Sequence, residues 1–231
     1  MHIPNEFLDP KISTGLIGVA VAVLGISFAK VKEAVTALQP AEALATAGRN
    51  VGSMAGRMRR VLTGNGEQTI YKMGMVAALV FSAQMFNFPI NQGTSGHMLG
   101  GVFSFVILGP FAGSIVMAVV LLVQSLFFAD GGLLAIGANI VNMAVVGTFL
   151  VYYLYILIRK VAPEWLAIAI AAWLSVTLAS FACSLEIGFS GTTSLGLVIP
   201  AMLKIHMLIG VAEALITLAL VNIFRTMLKG E

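Results

Sequence analysis

The sequence predicts an all-α fold: a single integral membrane domain, 1–231, of about seven transmembrane helices, with the N-terminus outside and the C-terminus cytoplasmic. Hydrophobic residues make up 59% of the chain and charged residues only 10%, a composition outside that of soluble domains. Apolar runs of membrane-spanning length recur along the chain, and they are continuous where the strands of a β-barrel would alternate. Basic residues collect on one side of the predicted bundle.

The apolar runs set the order of the spans. Gly109-Pro110 interrupts one long run, because this pair breaks a helix. That run must hold two crossings, so at least one of them is expected to be short, tilted or partly re-entrant. The spans are predicted at 12–29, 71–88, two within 97–129, 133–158, 164–185 and 195–228.

The distribution of basic residues gives the orientation. Seven spans place the termini on opposite sides, and every Lys and Arg except Lys11 and Lys204 then falls on the side of the C-terminus. The positive-inside rule makes that side cytoplasmic. The segment 31–70 is therefore predicted as a long cytoplasmic loop, with a basic interfacial helix at 47–62 or a plain solvated loop as alternatives. The segment 87–101 faces outward.

The chain begins "MHIPNEF", and its first ten residues contain no Lys or Arg, unlike a secretory signal peptide. We expect the mature chain to begin at Met1 and to keep it, because His2 is large. The amino group of Met1 with the amide and ring nitrogens of His2 can form a five-membered and a six-membered chelate ring on one ion. Planar nitrogen coordination suits Ni(II) and Cu(II), whereas Zn(II) prefers a tetrahedron. The alternative is that His2 is an ordinary second residue.

A second outward histidine could complete such a site. His97 lies in "NFPINQGTSGHMLGG", 87–101, a segment rich in Gly, Asn, Ser and Thr between two apolar runs. Irregular backbone at membrane depth is tolerated where it lines a cavity inside the protein. His97 could therefore supply a fourth nitrogen, or it could be an exposed loop histidine.

Several motifs carry a resemblance to a known family. After "MHIP", these are "QMFNFPINQGTSGHMLGG" (84–101), "LGPFAG" (108–113), "QSLFFADGGLLAIGANIVNM" (124–143) and "IHMLIGVAEALIT" (205–217). In this order they resemble the CbiM/NikM family, the substrate-binding (S) membrane component of energy-coupling-factor nickel and cobalt importers. The match runs through nearly every span. The start "MHIP" resembles the nickel branch more than the cobalt branch.

The resemblance implies a transporter subunit in a prokaryotic inner membrane. It implies no catalytic site and one transported ion, Ni(II), or alternatively Co(II) for cobalamin synthesis. The implied metal ligands are Met1, His2 and His97. The implied partners are a transmembrane coupling (T) subunit and separate cytosolic ATPases, with or without a small additional membrane subunit, and no nucleic acid. The chain has no phosphate-binding loop of its own.

Other polar residues are candidates for supporting the metal ligands. Metal-bound imidazoles usually donate their second ring proton to a carboxylate or carbonyl, and Asp130 is the nearest outward acid. Polar side chains within spans either line a pocket or bond helices together, and both readings stay open. His206 and Glu213, two turns apart on one helix face, form a second metal or proton site or, as we favour, a structural pair. The full set of candidates is Gln84, Asn87, Asn91, Ser95, Asp130, Asn139, Asn142, His206 and Glu213.

Two other classes of function are less well supported. An intramembrane metalloenzyme would need ligands and a general base, but the sequence has no His-Glu-x-x-His run. A channel or a structural membrane protein leaves the "MH" start unexplained. The single cysteine, Cys183, excludes a disulfide framework within the chain.

Overall fold

The computed structural model describes residues 2–40, 58–62, 64–85, 87–90 and 94–229. Within these residues most of the chain is helical. The helices are α1 (Pro10–Val35), α2 (Gly64–Gln84), α3 (Gly101–Leu108), α4 (Pro110–Phe127), α5 (Ile136–Ile140), a π-helix (Val141–Leu150), α6 (Val151–Arg159), α7 (Glu164–Phe189) and α8 (Leu195–Lys229).

Five helical stretches in the described part of the chain are long and apolar enough to cross a membrane. They are α1, α4, the continuous stretch Ile136–Arg159, α7 and α8. The protein is thus a helical membrane protein, while the count of seven spans and the orientation stay predictions. The helix α3 has 8 residues, which extend about 12 Å, well short of a bilayer core of about 30 Å.

Local sequence explains where the helices begin and end. Asp9 caps α1, since its side chain accepts a hydrogen bond from the Lys11 amide at 2.8 Å, and Pro10 occupies the first turn. The break predicted at Gly109-Pro110 is confirmed. Gly109, with φ of 81°, ends α3, and Pro110 begins α4. The chain therefore turns sharply between α3 and α4.

Two antiparallel pairs of short strands are additions to the predicted all-α fold. Strand β1 (Thr36–Pro40) pairs antiparallel with β2 (Met58–Leu62), and β3 (Asn87–Ile90) pairs antiparallel with β4 (Thr94–His97). The loop predicted over 31–70 was too long, because α1 continues to Val35 and α2 begins at Gly64. Of the proposed interfacial helix, 58–62 is a strand and 47–57 lies outside the described residues.

The core is formed where α7 and α8 pack along each other, α3 packs against both of them, and the π-helix packs against α7 and α4. The face of α7 that is buried there carries small residues, including Ala171, Ala172 and Ala179. Small side chains allow membrane helices to approach closely. By contrast α1 is largely exposed, and it contacts α4 and α5 on one side. Residues 2–8, which precede α1, lie against the loop between α4 and α5.

Candidate metal centre

The N-terminal arm, residues 2–8, is fixed by hydrogen bonds to the loop 130–134 and to α5. The Ile3 amide donates to Oδ1 of Asn139 at 2.8 Å, and Nδ2 of Asn139 donates to the Ile3 carbonyl at 3.4 Å. The Gly132 amide donates to the same carbonyl at 2.8 Å. Further along, the Leu134 amide donates to Oδ1 of Asn5 at 2.9 Å. The arm is therefore held by the backbone of Ile3 and the side chain of Asn5, and Ile3 is fully buried.

Gly132 packs directly against the arm at Asn5. A Cβ atom at this position would lie 2.4 Å from the backbone nitrogen of Asn5 and 2.7 Å from its Cα. These distances leave no room for any side chain, so the packing of the arm depends on glycine there.

His2 is directed from the arm into the protein, where it is 4% exposed. Its Nδ1 lies 2.7 Å from Oδ1 of Asp130. The residue before Asp130, Ala129, adopts a left-handed backbone conformation with φ of 53°, which turns the chain after α4. This turn brings the carboxylate to the imidazole.

His97 ends strand β4 and meets His2 in the same buried region. The centroids of the two rings are 4.5 Å apart, and the rings are inclined at 65°. Nδ1 of His97 lies 2.7 Å from the carbonyl oxygen of Met98. The Nε2 atoms of both histidines are buried and have no hydrogen-bond partner among the described residues. Two imidazoles from opposite ends of the first hundred residues thus lie close together.

The electrostatic environment favours neutral imidazoles. Burial lowers the pKa of His97 well below its ordinary value. Burial also lowers the pKa of His2, against the opposing effect of the contact with Asp130. For Asp130 burial raises the pKa, but the hydrogen bond with His2 leaves it below its ordinary value. The arrangement therefore places two neutral imidazoles beside a carboxylate.

Two more of the candidate residues hold the backbone that follows His97. Nε2 of Gln84, on α2, donates to the Leu99 carbonyl at 2.6 Å. The Leu99 and Gly100 amides donate to the carboxyl group of Glu213, on α8, at 2.9 and 2.7 Å. The helices α2 and α8 thus meet the backbone 99–100, shortly after His97.

The remaining candidates have other surroundings. Nδ2 of Asn142 donates to Oε2 of Glu186 at 2.7 Å, which joins the π-helix to α7. Nδ1 of His206 lies 2.7 Å from the Met202 carbonyl of its own helix, so His206 and Glu213 have different hydrogen-bond partners, and the favoured structural reading of these two residues stays a prediction. Met1 and Asn91 lie outside the described residues. For Asn87 and Ser95 the backbone alone is described, in the β3–β4 hairpin.

Within the described ranges, no group of three or more His, Cys, Asp or Glu side chains could hold a metal ion. A site at His2 and His97 would therefore need donors of another kind, such as backbone or terminal nitrogens.

A family model described as the cobalt uptake substrate-specific transmembrane region, CbiM, matches residues 36–229. The chain belongs to this family.

One relative of this CbiM-family chain is a putative fused nickel transport protein, NikMN, of Archaeoglobus fulgidus. It is 37% identical over 224 residues, which are 96% of this chain and 64% of the relative. The chain therefore spans somewhat less than two thirds of that protein's length.

Two solved structures resemble the CbiM-family chain. The crystal structure of a truncated transition metal transporter matches with a TM-score of 0.79 and 29% identity, covering 98% of this chain and 99% of that one. The S-component for biotin from an ECF-type ABC transporter matches with a TM-score of 0.56 over 72% of this chain and 95% of that one. At 16% identity the second match shows the fold alone.

Sequence reasoning missed some residues that shape this site in the CbiM-family chain. Asn5 and Gly132 fix the arm, and the Leu99 and Gly100 amides donate hydrogen bonds to Glu213. The two adjacent glycines after Asp130 were a usable signal, because paired glycines mark a close backbone approach. No local pattern could have identified the partner of Glu213, which lies 113 residues away from Gly100.

Proposed function

We propose that this chain is the substrate-specific membrane subunit of an ATP-driven Ni(II) importer. It captures one ion in a planar four-nitrogen site made by the Met1 amino group, the amide and ring nitrogens of His2, and the ring of His97. The observation that carries the proposal is the buried His2–His97 pair, with ring centroids 4.5 Å apart. Metal–nitrogen bonds are about 2 Å long, so two rings at this separation can bind the same ion.

The donor set explains a preference for nickel. An ionised backbone amide with amine and imidazole nitrogens favours planar coordination, which suits Ni(II). A nitrogen site of this kind excludes Mg(II) and Ca(II), which require oxygen ligands. Co(II) is the alternative cargo, supported by the family model's description as a cobalt uptake region.

The His2 ring can reach the ion in a six-membered chelate only through Nδ1. That atom lies beside Asp130, so capture exchanges the contact with the carboxylate for a bond to the metal. Asp130 remains next to the bound ion, where its negative charge offsets part of the ion's charge. Ligand protons must leave as the metal enters, as at other metal sites.

The importer needs partners that this chain does not supply. We assign ATP hydrolysis to separate cytosolic ATPases and the link to them to a transmembrane coupling subunit. The similarity of fold to the S-component for biotin supports this assignment.

The decisive experiment compares two forms of the purified chain that differ only before Met1. One begins at Met1 and carries its tag at the C-terminus, and the other has a few extra residues in front. The extension turns the terminal amine into an ordinary amide, so we expect Ni(II) affinity to fall by orders of magnitude while folding is unchanged. Calorimetric titration with Ni(II) and Co(II) measures both affinity and cargo preference.

The control is Lys204→Gln, which changes an exposed cation on α8 and should bind Ni(II) like the unmodified chain. Equal binding by the native-start and extended forms would exclude the terminal amine and overturn the four-nitrogen site. Tighter binding of Co(II) than Ni(II) would assign the chain to cobalt.

A further inference from the structure

Glu213 is a fully buried acidic residue in the middle of α8. Its Oε2 accepts a hydrogen bond from the Leu99 amide at 2.9 Å, and its Oε1 accepts one from the Gly100 amide at 2.7 Å. Burying a carboxyl group is costly unless hydrogen bonds compensate it. Both carboxyl oxygens of Glu213 thus accept hydrogen bonds from the two consecutive peptide units Met98–Leu99 and Leu99–Gly100.

The first of these peptide units connects Glu213 to His97. The Met98 carbonyl and the Leu99 amide belong to one planar peptide. On one side its carbonyl oxygen lies 2.7 Å from Nδ1 of His97, and on the other side its N–H donates to Glu213. A rigid unit therefore joins the carboxyl group of α8 to the imidazole.

This connection determines which ring nitrogen can bind a metal. Because a carbonyl oxygen can only accept, Nδ1 of His97 must carry the proton, which leaves the lone pair on Nε2. Nε2 is the buried atom without a hydrogen-bond partner in the described ranges. Hydrogen bonds in a chain also strengthen one another, so the bond from Leu99 to Glu213 makes the Met98 carbonyl a better acceptor.

The second peptide unit is held from both sides. Its Leu99 carbonyl accepts from Gln84 of α2 at 2.6 Å, and its Gly100 amide donates to Glu213 of α8. Gly100 has φ of 77°, and a Cβ there would lie 2.9 Å from Cγ2 of Val80. The backbone after His97 is therefore fixed between two helices.

We propose that Glu213 is a positioning residue for the metal ligand His97: through the Met98–Leu99 peptide it sets the orientation and the tautomer of the imidazole. The inference rests on the proposed function, in which His97 binds the transported ion. It gives a buried acid on α8 a defined part in ion capture, without direct contact with the ion.

The test substitutes Glu213→Gln, which keeps the size of the side chain. A carboxamide has one acceptor oxygen, and its NH₂ group faces an N–H donor, so one of the two backbone bonds is lost. We expect Ni(II) affinity to fall by about 10- to 100-fold, the range for residues that orient metal ligands.

A spectroscopic measurement separates positioning from a general loss of stability. The visible ligand-field bands of the Ni(II)- and Cu(II)-loaded protein report the number of nitrogen ligands. His97→Ala replaces one nitrogen with a weaker donor and should move the bands to longer wavelength. Glu213→Gln should move them in the same direction, because the His97 ring is no longer held in place.

Thr217→Val is the matched control, one turn further along α8 and 2% exposed. It removes a buried polar group from the same helix without touching the segment 98–100, so its affinity and bands should equal those of the unmodified chain. Glu213→Asp keeps the carboxylate but shortens its reach, and it should give an intermediate shift. If Glu213→Gln does not fold, the Ni(II) affinity and the ligand-field bands of Glu213→Asp test the proposal instead.

The outcomes are distinct. Unchanged affinity and bands in the folded Glu213 variant would overturn the positioning role, whatever its thermal stability. Absence of Ni(II) and Co(II) binding by the unmodified chain would instead overturn the proposed function. A fall in affinity with a band shift toward that of His97→Ala supports both.

Discussion

At the residue scale, Asp130 is the acidic side chain next to the proposed nitrogen site. Its carboxylate lies 2.7 Å from Nδ1 of His2, and the hydrogen bond with His2 holds its pKa below the ordinary value despite burial. The group is therefore ionised near neutral pH. A negative charge beside a divalent cation stabilises the bound ion, because the surroundings are largely shielded from water.

Asp130→Asn should therefore weaken Ni(II) binding by about tenfold or more, the lower end of the range for residues that support metal ligands. The substitution keeps the size of the side chain and removes its charge. Competition with a chelator of known affinity measures the change. Glu164→Gln is the control, because its ion pair with Arg225 is partly exposed and contributes little. Tighter binding by Asp130→Asn would contradict this, since Asp130 would then only compete with the ion for Nδ1.

At the element scale, the N-terminal arm is a short segment held by packing and hydrogen bonds against a loop. Residues 2–8 have no helix or strand of their own, and their order comes from Asn139, Gly132 and Leu134. Since His2 is part of this arm, the position of this proposed metal ligand depends on how well the loop accommodates the arm.

Gly132→Ala should displace the arm, because the added methyl group would lie 2.4 Å from the Asn5 nitrogen. We expect weaker Ni(II) binding and faster hydrogen exchange at the Ile3 amide, which is buried and bonded to Asn139. Gly196→Ala is the matched control, since a Cβ there has nothing within 4 Å. Exchange at Ile3 that is equally slow in both variants would show that the arm tolerates the methyl group.

The elements were predictable from sequence to different degrees. Long apolar runs predicted the helices, and Gly109-Pro110 predicted the boundary between α3 and α4, because hydropathy and helix breakers act locally. The β3–β4 hairpin was missed, since its sequence lacks the alternating pattern of a half-buried strand. The β1–β2 pair was missed for the same reason.

At the scale of the whole molecule, the candidate site joins parts of the chain that are far apart in sequence. His2 and His97 were singled out as outward-facing nitrogen donors, and Asp130 as the nearest outward acid that could accept a ring proton. Their proximity is a property of the fold: the arm reaches Asn139 across 136 residues, and Leu99 reaches Glu213 across 114. Such contacts have no periodic signal in a single sequence. The residue types of the site were therefore predictable, while the contacts that position them were not.

A site assembled from distant segments should couple ion binding to the stability of the whole chain. A ligand that binds only the folded protein stabilises it by about 2.7 kcal/mol at 100 times its Kd. Ni(II) should therefore raise the midpoint of thermal unfolding by several degrees in detergent or nanodiscs, and excess Mg(II) should not, because Mg(II) requires oxygen ligands. Intrinsic fluorescence during a thermal scan measures the shift. His97→Ala should lose most of it at the same Ni(II) concentration, since the loop then contributes no ligand. A full shift in that variant, or an equal shift with Mg(II), would mean that the stabilising ion binds away from the His2–His97 pair.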